Sequence, residues 1–211
     1  MNSRDVDHDD NLDLESLSDD ELAGAAAVGD AEAFDLLVRR MSPILLRYMR
    51  RMVSEPQTAE DLAQETLLDT WKGLPDFAFR SSFRTWMFAV AHRKTVDYYR
   101  RRRDLPTGAE RFEELVARGP QPADTAEHSA LMDALRAELG NLPHTSRAAW
   151  WLKEVEGLTL VEISEVLRVS TGSVRGHLQR SRKFLVTRLA PWQPGARSDE
   201  ASAATGKGGR S

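Results

Sequence analysis

The sequence predicts an all-α protein made of two small helical domains joined by a flexible linker. Apolar residues recur at helical spacing from Leu22 to Arg103 and again from Ala130 to Leu189, and neither block shows the alternating pattern of a strand. Between the blocks, over residues 104–129, the periodicity fades, and the segment RGPQPADTAEHS is rich in proline, glycine and small polar residues. We therefore expect domains over 22–103 and 130–189.

Composition narrows the class of protein. The chain has 211 residues, 41% of them hydrophobic, and no cysteine, which excludes disulfides and thiolate metal sites and fits a reducing cytoplasm. No apolar run approaches the roughly 18 residues of a membrane span, so no membrane insertion is expected. The acidic N-terminus lacks the basic and then apolar order of a secretory signal. These features predict a cytoplasmic protein.

Both ends of the chain are polar and are predicted to be disordered. Residues 1–21 form an acidic leader with nine acids and one base, so the leader carries −8 and the remainder +4, although the whole chain carries −4. A solvated tail is the favoured interpretation of the leader, and competition with nucleic acid for the basic remainder is the alternative. Residues 190–211 form a small, polar tail.

The first block begins with a long amphipathic stripe from Phe34 to Met52, which Pro43 is expected to bend or break. The helix after Thr58 is next, and five of its residues are predicted to form a buried stripe: Ala63, Leu67, Thr70, Trp71 and Leu74. Its opposite side carries Asp61, Gln64, Glu65, Leu68 and Asp69. An exposed leucine among acids indicates an interface for a basic protein, and a plain solvated face remains equally open.

The last helix of the first block is FRTWMFAVAHRKTVDYYRRRR, residues 83–103. Its first turns have almost no polar side and are predicted to be buried. Further on, aromatic side chains stand beside a dense run of arginines, which is the combination that binds single-stranded nucleic acid through base stacking and phosphate contacts. A core helix with a basic, solvated end is the alternative.

The second block contains a helix-turn-helix pattern. Thr159 and Glu162 form a capping box at the start of LVEISEVL, the turn RVS follows, and Ser170 can cap a second helix that runs from Thr171 to Leu189. Arg168 stands in the turn at a position where glycine is common. This layout predicts a DNA-binding module.

The second helix of this module has two contrasting faces. The face predicted to pack inward consists of Val174, Leu178, Ser181, Leu185 and Leu189. The opposite face consists of Ser173, Gly176, Gln179, Arg180 and Lys183, with Arg175 at its flank. Residues 171–188 include five Lys or Arg and no acid, and the small residues allow close approach to a groove. DNA recognition is the favoured interpretation, and a solvated basic helix is the alternative.

Three segments together resemble a known family. They are AEDLAQETLLDTWKGL, the 83–103 helix, and LPHTSRAAWWLKEVEGLTLVEISEVLRVSTGSVRGHLQRSRKFL. In this order they resemble bacterial RNA polymerase sigma factors of the sigma-70 family, of the extracytoplasmic-function (ECF, group 4) type, which has only sigma regions 2 and 4. The segment LTLVEISEVLRVS alone also resembles the DNA-binding domains of response regulators, but the combination is specific.

The resemblance implies roles for individual residues. Core polymerase binding, through the clamp helices of the β′ subunit, would fall to Asp61, Gln64, Glu65 and Leu68. Recognition and melting of the −10 element would fall to Phe83, Trp86, His92, Arg93, Lys94, Tyr98, Tyr99 and Arg101. Recognition of the −35 element would fall to Ser173, Arg175, Gly176, Gln179, Arg180 and Lys183.

The function implied is that of a non-catalytic initiation factor, without cofactor or metal, that binds core RNA polymerase through its β′ and β subunits and directs it to promoter DNA. An anti-sigma factor is a further candidate partner. The alternative is a stand-alone helix-turn-helix regulator that binds duplex operator DNA. An enzyme finds little support, because the five histidines lack metal-ligand spacing and the chain has no phosphate-binding loop or nucleophile elbow.

Overall fold

The computed structural model describes residues 14–104 and 126–192, and the regular structure within these ranges is entirely helical. The α helices are α1 (Asp19–Ala27), α2 (Ala31–Met52), α3 (Pro56–Gly73), α4 (Phe83–Asp104), α5 (Ala126–Gly140), α6 (His144–Glu154), α7 (Leu160–Leu167) and α8 (Thr171–Leu189). Short 3-10 helices cover Leu14–Ser16, Leu74–Asp76 and Ala190–Trp192. The predicted all-α class is confirmed.

Helix α1 corrects the predicted extent of the disordered leader. Ser18 caps the helix and forms a capping box with Glu21, whose carboxylate accepts a hydrogen bond from the Ser18 N–H at 2.8 Å. Asp20 then accepts a hydrogen bond from the backbone N–H of Phe83 at 2.6 Å. The leader prediction is therefore wrong from residue 14 onward, because three of its acids begin a helix. Residues 1–13 lie outside the described residues.

Helix α2 is continuous through Pro43, so the predicted break is wrong. Pro43 is exposed, and the carbonyl four residues earlier, which loses its helical hydrogen bond, can be solvated instead. The opposite face of α2 is buried along its whole length, from Ala33 through Leu37, Met41 and Leu45 to Met52. Packing along this face keeps the helix intact across the proline.

Helices α1–α4 form the first domain. Helix α2 packs against α1 and α3, and α4 closes the bundle against α3. The largest core side chains are aromatic, and the rings of Tyr48 and Phe88 meet edge to face at 5.2 Å. Ser82 begins α4, since its hydroxyl oxygen accepts a hydrogen bond from the N–H of Thr85 at 3.2 Å. The N-terminal half of α4 is therefore held in place by its cap and by core side chains such as Phe83 and Phe88.

Helices α5–α8 form the second domain. Leu152, Ile163, Val174 and Leu178 are buried where α6, α7 and α8 meet, and a smaller apolar cluster joins α5 to α8. Helix α5 begins at Ala126, four residues before the predicted start of the second domain at Ala130. Residues 105–125, the greater part of the predicted linker, lie outside the described residues, as does the predicted tail from residue 193.

The two domains touch along one side of the first bundle. Helix α4 packs against α7, and α2 packs against α6, so that buried residues of both domains belong to one continuous apolar cluster. Among the described helices, none is long and apolar enough to cross a membrane.

Candidate nucleic-acid and protein interfaces

Helix α8 exposes the face that the sequence predicts for DNA. Val174, Leu178, Ser181 and Leu185 are buried, as predicted, while Leu189 is only half-buried. The exposed side chains are Ser173, Arg175, Gln179, Arg180 and Lys183, and Gly176 is partly covered. The predicted amphipathic pattern is therefore confirmed.

Local geometry prepares the turn and the start of α8. Arg168 ends α7 in the left-handed conformation (φ 54°), the region that a glycine would occupy without strain. Ser170 caps α8 by accepting a hydrogen bond from the Ser173 N–H at 3.1 Å. A Cβ on Gly176 would lie 3.2 Å from Nη1 of Arg180, so the small residue gives the guanidinium room to lie along the helix.

The five basic side chains of α8 differ in their partners. Arg182 is paired with Glu154 at 2.7 Å, and Arg188 with Glu138 at 3.4 Å. Among the described residues, Arg175, Arg180 and Lys183 form no ion pair. The cations without a carboxylate partner are thus the three on the predicted DNA face.

Helix α3 presents acids around an apolar groove. Asp61, Gln64 and Glu65 are exposed, and the Leu68 residue is 56% exposed. A groove of about 390 Å³ runs beside them, lined by Phe34, Val38, Gln64, Leu67, Leu68 and Trp71. Exposed apolar surface rimmed by acids is typical of a docking site for a protein with basic and apolar side chains.

Trp71 is a correction to the predicted buried stripe of α3. The tryptophan is 38% exposed and Leu67 is only half-buried, whereas Ala63, Thr70 and Leu74 are buried as predicted, with Ala59 and Thr66 buried beside them. Its indole packs against Phe34 of α2 with ring centroids 4.2 Å apart. Trp71 therefore forms a wall of the groove rather than part of the core.

Helix α4 exposes only part of the residue set predicted for the −10 element. Arg93 and Arg101 are exposed, and Tyr98 is half-buried. Trp86 is half-buried and stacks on Phe77 with ring centroids 4.6 Å apart. The Tyr98 hydroxyl oxygen accepts a hydrogen bond from Arg102 at 2.6 Å. Arg93, Tyr98 and Arg101 give α4 a basic, partly aromatic surface in its C-terminal half, and Trp86 adds ring surface near the start of the helix.

Phe83 and His92 do not lie on this surface. They are only 2% and 6% exposed, and direct DNA contact by either is inconsistent with this structure. His92 Nδ1 lies 3.1 Å from the Tyr48 hydroxyl, and burial lowers the pKa of His92 to about 4. The family resemblance implied a role for His92 in DNA binding, but His144 of the second domain stacks on this side chain.

Tyr99 and Lys94 are tied to their neighbours. The Tyr99 hydroxyl donates a hydrogen bond to the Met52 carbonyl at 2.7 Å. Lys94 forms ion pairs with Glu65 at 3.2 Å and Asp69 at 2.8 Å. The predicted −10 surface and the acidic face of α3 are therefore linked through one lysine.

Sequence reasoning missed three features around the start of α4. Arg84 pairs with Glu156, and Thr85 hydrogen-bonds to Glu162, so two acids of the second domain meet the first. Phe79, in the loop before α4, is 47% exposed in a left-handed conformation (φ 50°). No local signal could have found the interdomain pairs, since each joins residues more than 70 positions apart.

The described residues contain no cluster of three or more histidine or acidic side chains that could hold a metal ion. Three exposed surfaces are suited to binding another macromolecule: the basic face of α8, the basic end of α4 and the acid-rimmed groove on α3. These surfaces indicate the class of protein: a helical protein of two domains that binds both DNA and another protein.

Comparisons with known proteins identify the family. Sigma-70 region 2 matches residues 37–104, and sigma-70 region 4 matches residues 132–185. The RNA polymerase sigma-H factor of Pseudomonas aeruginosa is 30% identical over 82% of this chain and 94% of its own length. The ECF RNA polymerase sigma factor SigE of Mycolicibacterium smegmatis is 32% identical over 81% of this chain and 69% of its own length.

A solved structure supports the same family. The structure of CnrH in complex with the cytosolic domain of CnrY covers 82% of this chain and 98% of that chain, with 28% identity and a TM-score of 0.62. The chain belongs to the sigma-70 family, in its extracytoplasmic-function branch. It is a transcription initiation factor that directs RNA polymerase to promoters. A stand-alone regulator is not favoured, because both sigma regions match one chain in the family's order.

Proposed function

We propose a division of labour between the two domains of this sigma factor. The domain formed by α1–α4 docks on core polymerase and opens the −10 element, and the domain formed by α5–α8 recognises the −35 element. Residues 105–125 connect the two domains. The observation that carries the proposal is that each domain exposes a different chemistry, with acids around an apolar groove on α3 and unpaired cations on α8.

The core-binding role rests on the groove of α3. Leu68 and Trp71 offer apolar surface that no other described residue covers, and Asp61, Gln64 and Glu65 surround it with negative charge and hydrogen-bonding groups. A helical partner with apolar and basic side chains would bury this apolar surface and neutralise the negative charge around it. The clamp helices of the polymerase β′ subunit are the partner that the family implies.

The melting role rests on the exposed half of α4. Arg93 and Arg101 can neutralise phosphates, while Trp86 and Tyr98 offer ring surface to unpaired bases. We assign Lys94 and Tyr99 to supporting these side chains, because both are held by contacts inside the first domain. Phe83 and His92 shape the core beneath.

The −35 role rests on the exposed face of α8. Arg175, Gln179 and Arg180 have the donors that recognise base edges in a major groove, and Ser173 and Gly176 allow close approach. Lys183 lies a turn further on and is assigned to a phosphate. Loss of Lys183 should therefore weaken binding equally for all sequences and reduce the salt dependence of binding by about one charge.

We infer that the chain is non-catalytic, needs no cofactor or metal, and acts in the cytoplasm, where core polymerase is found. A protein that covers these surfaces would inhibit it, and an anti-sigma factor is the partner the family implies. CnrH, a structural neighbour, is in complex with the cytosolic domain of CnrY.

Promoter binding with and without core polymerase tests this proposal. The purified chain should protect promoter fragments specifically only when core polymerase is present, whereas a stand-alone regulator would bind its duplex operator alone, usually as a dimer. Transcription of fragmented genomic DNA by the reconstituted enzyme would then locate the promoters. Specific, core-independent binding of duplex DNA would overturn the proposal.

A further inference from the structure

Arginine side chains of both domains meet where the C-terminus of α2 contacts α5 and α6. The Arg51 guanidinium donates a hydrogen bond from Nη1 to the Arg136 carbonyl at 3.3 Å and lies over the Trp151 ring at 5.3 Å. Arg147 in turn donates from Nη1 to the Arg51 carbonyl at 3.3 Å. The three arginines, Arg51, Arg136 and Arg147, therefore adjoin one another, and we call them the arginine cluster.

The arginine cluster has too little negative charge to balance it. Among the described residues, Arg51 and Arg147 form no ion pair, and Arg136 pairs only with Asp133, whose side chain is 60% exposed. The acceptors that Arg51 and Arg147 use are backbone carbonyls, which carry no net charge. Buried arginines are ordinarily paired with an acid, because an uncompensated buried charge is costly. The described part of the chain therefore leaves a positive charge unbalanced here.

Hydrogen-bonding groups of the arginine cluster are also unused. Within the described ranges, Nε of Arg51 and Nε of Arg147 are buried without a hydrogen-bond partner, and so is Nε2 of the neighbouring His144. A buried N–H group without an acceptor loses its hydration and gains no hydrogen bond in return. The cluster therefore lacks an acceptor that also carries negative charge, and an anion supplies both.

The pKa values around the arginine cluster agree with a poorly solvated, positively charged place. Burial, together with the charges of Arg136 and Arg147, lowers the pKa of Arg51 to about 10. Burial also lowers the pKa of Arg147. Burial and the charges of His92 and Arg147 lower the pKa of His144 to about 3. A bound anion would oppose each of these shifts, because it favours the protonated form of every group.

The arginine cluster is reached from solvent at its outer edge. All three arginine residues keep part of their surface exposed, and the Arg136 side chain is 32% exposed. The Nε atoms of Arg51 and Arg147 are buried behind this edge. A small ion can pass between side chains that shift slightly, whereas a polynucleotide is too wide to follow. Guanidinium groups bind oxyanions of the phosphate type well, because their planar N–H edges match two oxygen atoms at once.

We propose that the arginine cluster is a binding site for a small oxyanion of the phosphate class, held between α2, α5 and α6. Arg51 and Arg147 supply the Nε–H donors, and Arg136 contributes its charge at the opening. None of the three residues belongs to the faces assigned to polymerase or to promoter DNA, so the site adds a ligand to the proposed function. Because the ion bridges helices of both domains, it stabilises the folded chain.

The arginine Nε–H signals in an NMR spectrum test the site directly. Arg51→Lys and Arg147→Lys assign the two signals, because each variant removes one of them. Titration of the native chain with inorganic phosphate should shift both signals along one saturable curve and leave the exposed Arg47 nearly unchanged. Chloride at equal ionic strength, or a short single-stranded oligonucleotide at equal phosphate concentration, should not shift them. Phosphate shifts confined to exposed arginines, or a larger shift of Arg51 with the oligonucleotide, would overturn the site.

Unfolding by urea measures the stabilisation. Urea is chosen because guanidinium would compete with the arginines for the anion. With a Kd of about 1 mM, phosphate at about 20 mM should raise the equilibrium constant for folding roughly twentyfold relative to chloride at equal ionic strength. Phosphate also stabilises proteins generally, by exclusion from their surfaces, so the difference between variants decides the outcome.

Two matched variants provide that difference. Arg136→Met lies at the partly exposed edge of the arginine cluster, so the chain should still fold and should lose most of the response to phosphate. Arg47→Met makes the same chemical change at an exposed position of α2, one turn before Arg51, and should keep the full response. Equal responses of Arg136→Met and the native chain, or an equal loss in Arg47→Met, would overturn the proposal.

Discussion

The apolar groove on α3 gives a quantitative prediction for polymerase binding. Complete burial of a leucine side chain is worth about 1.5–3 kcal/mol relative to exposure. Leu68 is 56% exposed in the free chain, so docking that buries the rest is worth about 0.8–1.7 kcal/mol. Truncation to alanine removes most of this, and Leu68→Ala should weaken binding to core polymerase by about 1 kcal/mol, or roughly fivefold in Kd.

The assay is a titration of labelled factor with core polymerase, followed by fluorescence anisotropy. Leu68→Ala should leave the unfolding free energy within about 0.5 kcal/mol of the native value, because the side chain lies outside the core. Val28→Ala is the control, since Val28 is 89% exposed but does not line the groove. Equal Kd values for Leu68→Ala and the native chain, or an equal loss in the control, would refute docking through this groove.

Three further predictions concern promoter recognition, the pH dependence of stability and the acidic leader. Arg175→Ala or Arg180→Ala should cost about 1–3 kcal/mol of promoter binding and relax the preference at a single −35 position, and a uniform loss over all positions would argue against base recognition. Burial lowers the pKa values of His92 and His144, so the free energy of unfolding should be complete above pH 6.5 and should fall as the pH drops toward 4. At pH 5.5 each of the two histidines should reduce the free energy of unfolding by about 1.4 kcal/mol, and equal denaturation midpoints at pH 7.5 and 5.5 would contradict this. Deletion of residues 1–13 should raise non-specific DNA affinity at low salt if this segment competes for the basic surfaces, and equal affinities would leave only the solvated-tail interpretation.

The helix-turn-helix could be predicted almost completely from the sequence because its signals are local. The capping box of Thr159 and Glu162 and the cap at Ser170 define the helix starts within three residues, and both are observed. The alternation of Val174 and Leu178 with polar positions fixes the buried face of α8. The capping box of Ser18 and Glu21 was equally readable, but the surrounding run of acids favoured disorder.

Burial in the first domain was harder to predict because it depends on distant partners. Trp71 is partly exposed because small residues of α3 make the close contact with the core. Periodicity alone does not show which side of the helix makes that contact. His92 is buried partly by His144, which lies 52 residues further along the chain. The interdomain pair of Arg84 and Glu156 has no local signature for the same reason.

The division of labour between the domains is tested most directly by run-off transcription on two templates, a duplex promoter and the same promoter pre-melted across the −10 region. Arg93 and Arg175 are both exposed, so Arg93→Ala and Arg175→Ala should spare folding. Pre-melting should restore transcription by Arg93→Ala, since strand opening is no longer required, and should leave Arg175→Ala as weak as on the duplex. Equal rescue of both variants, or rescue of neither, would contradict the separate roles of α4 and α8.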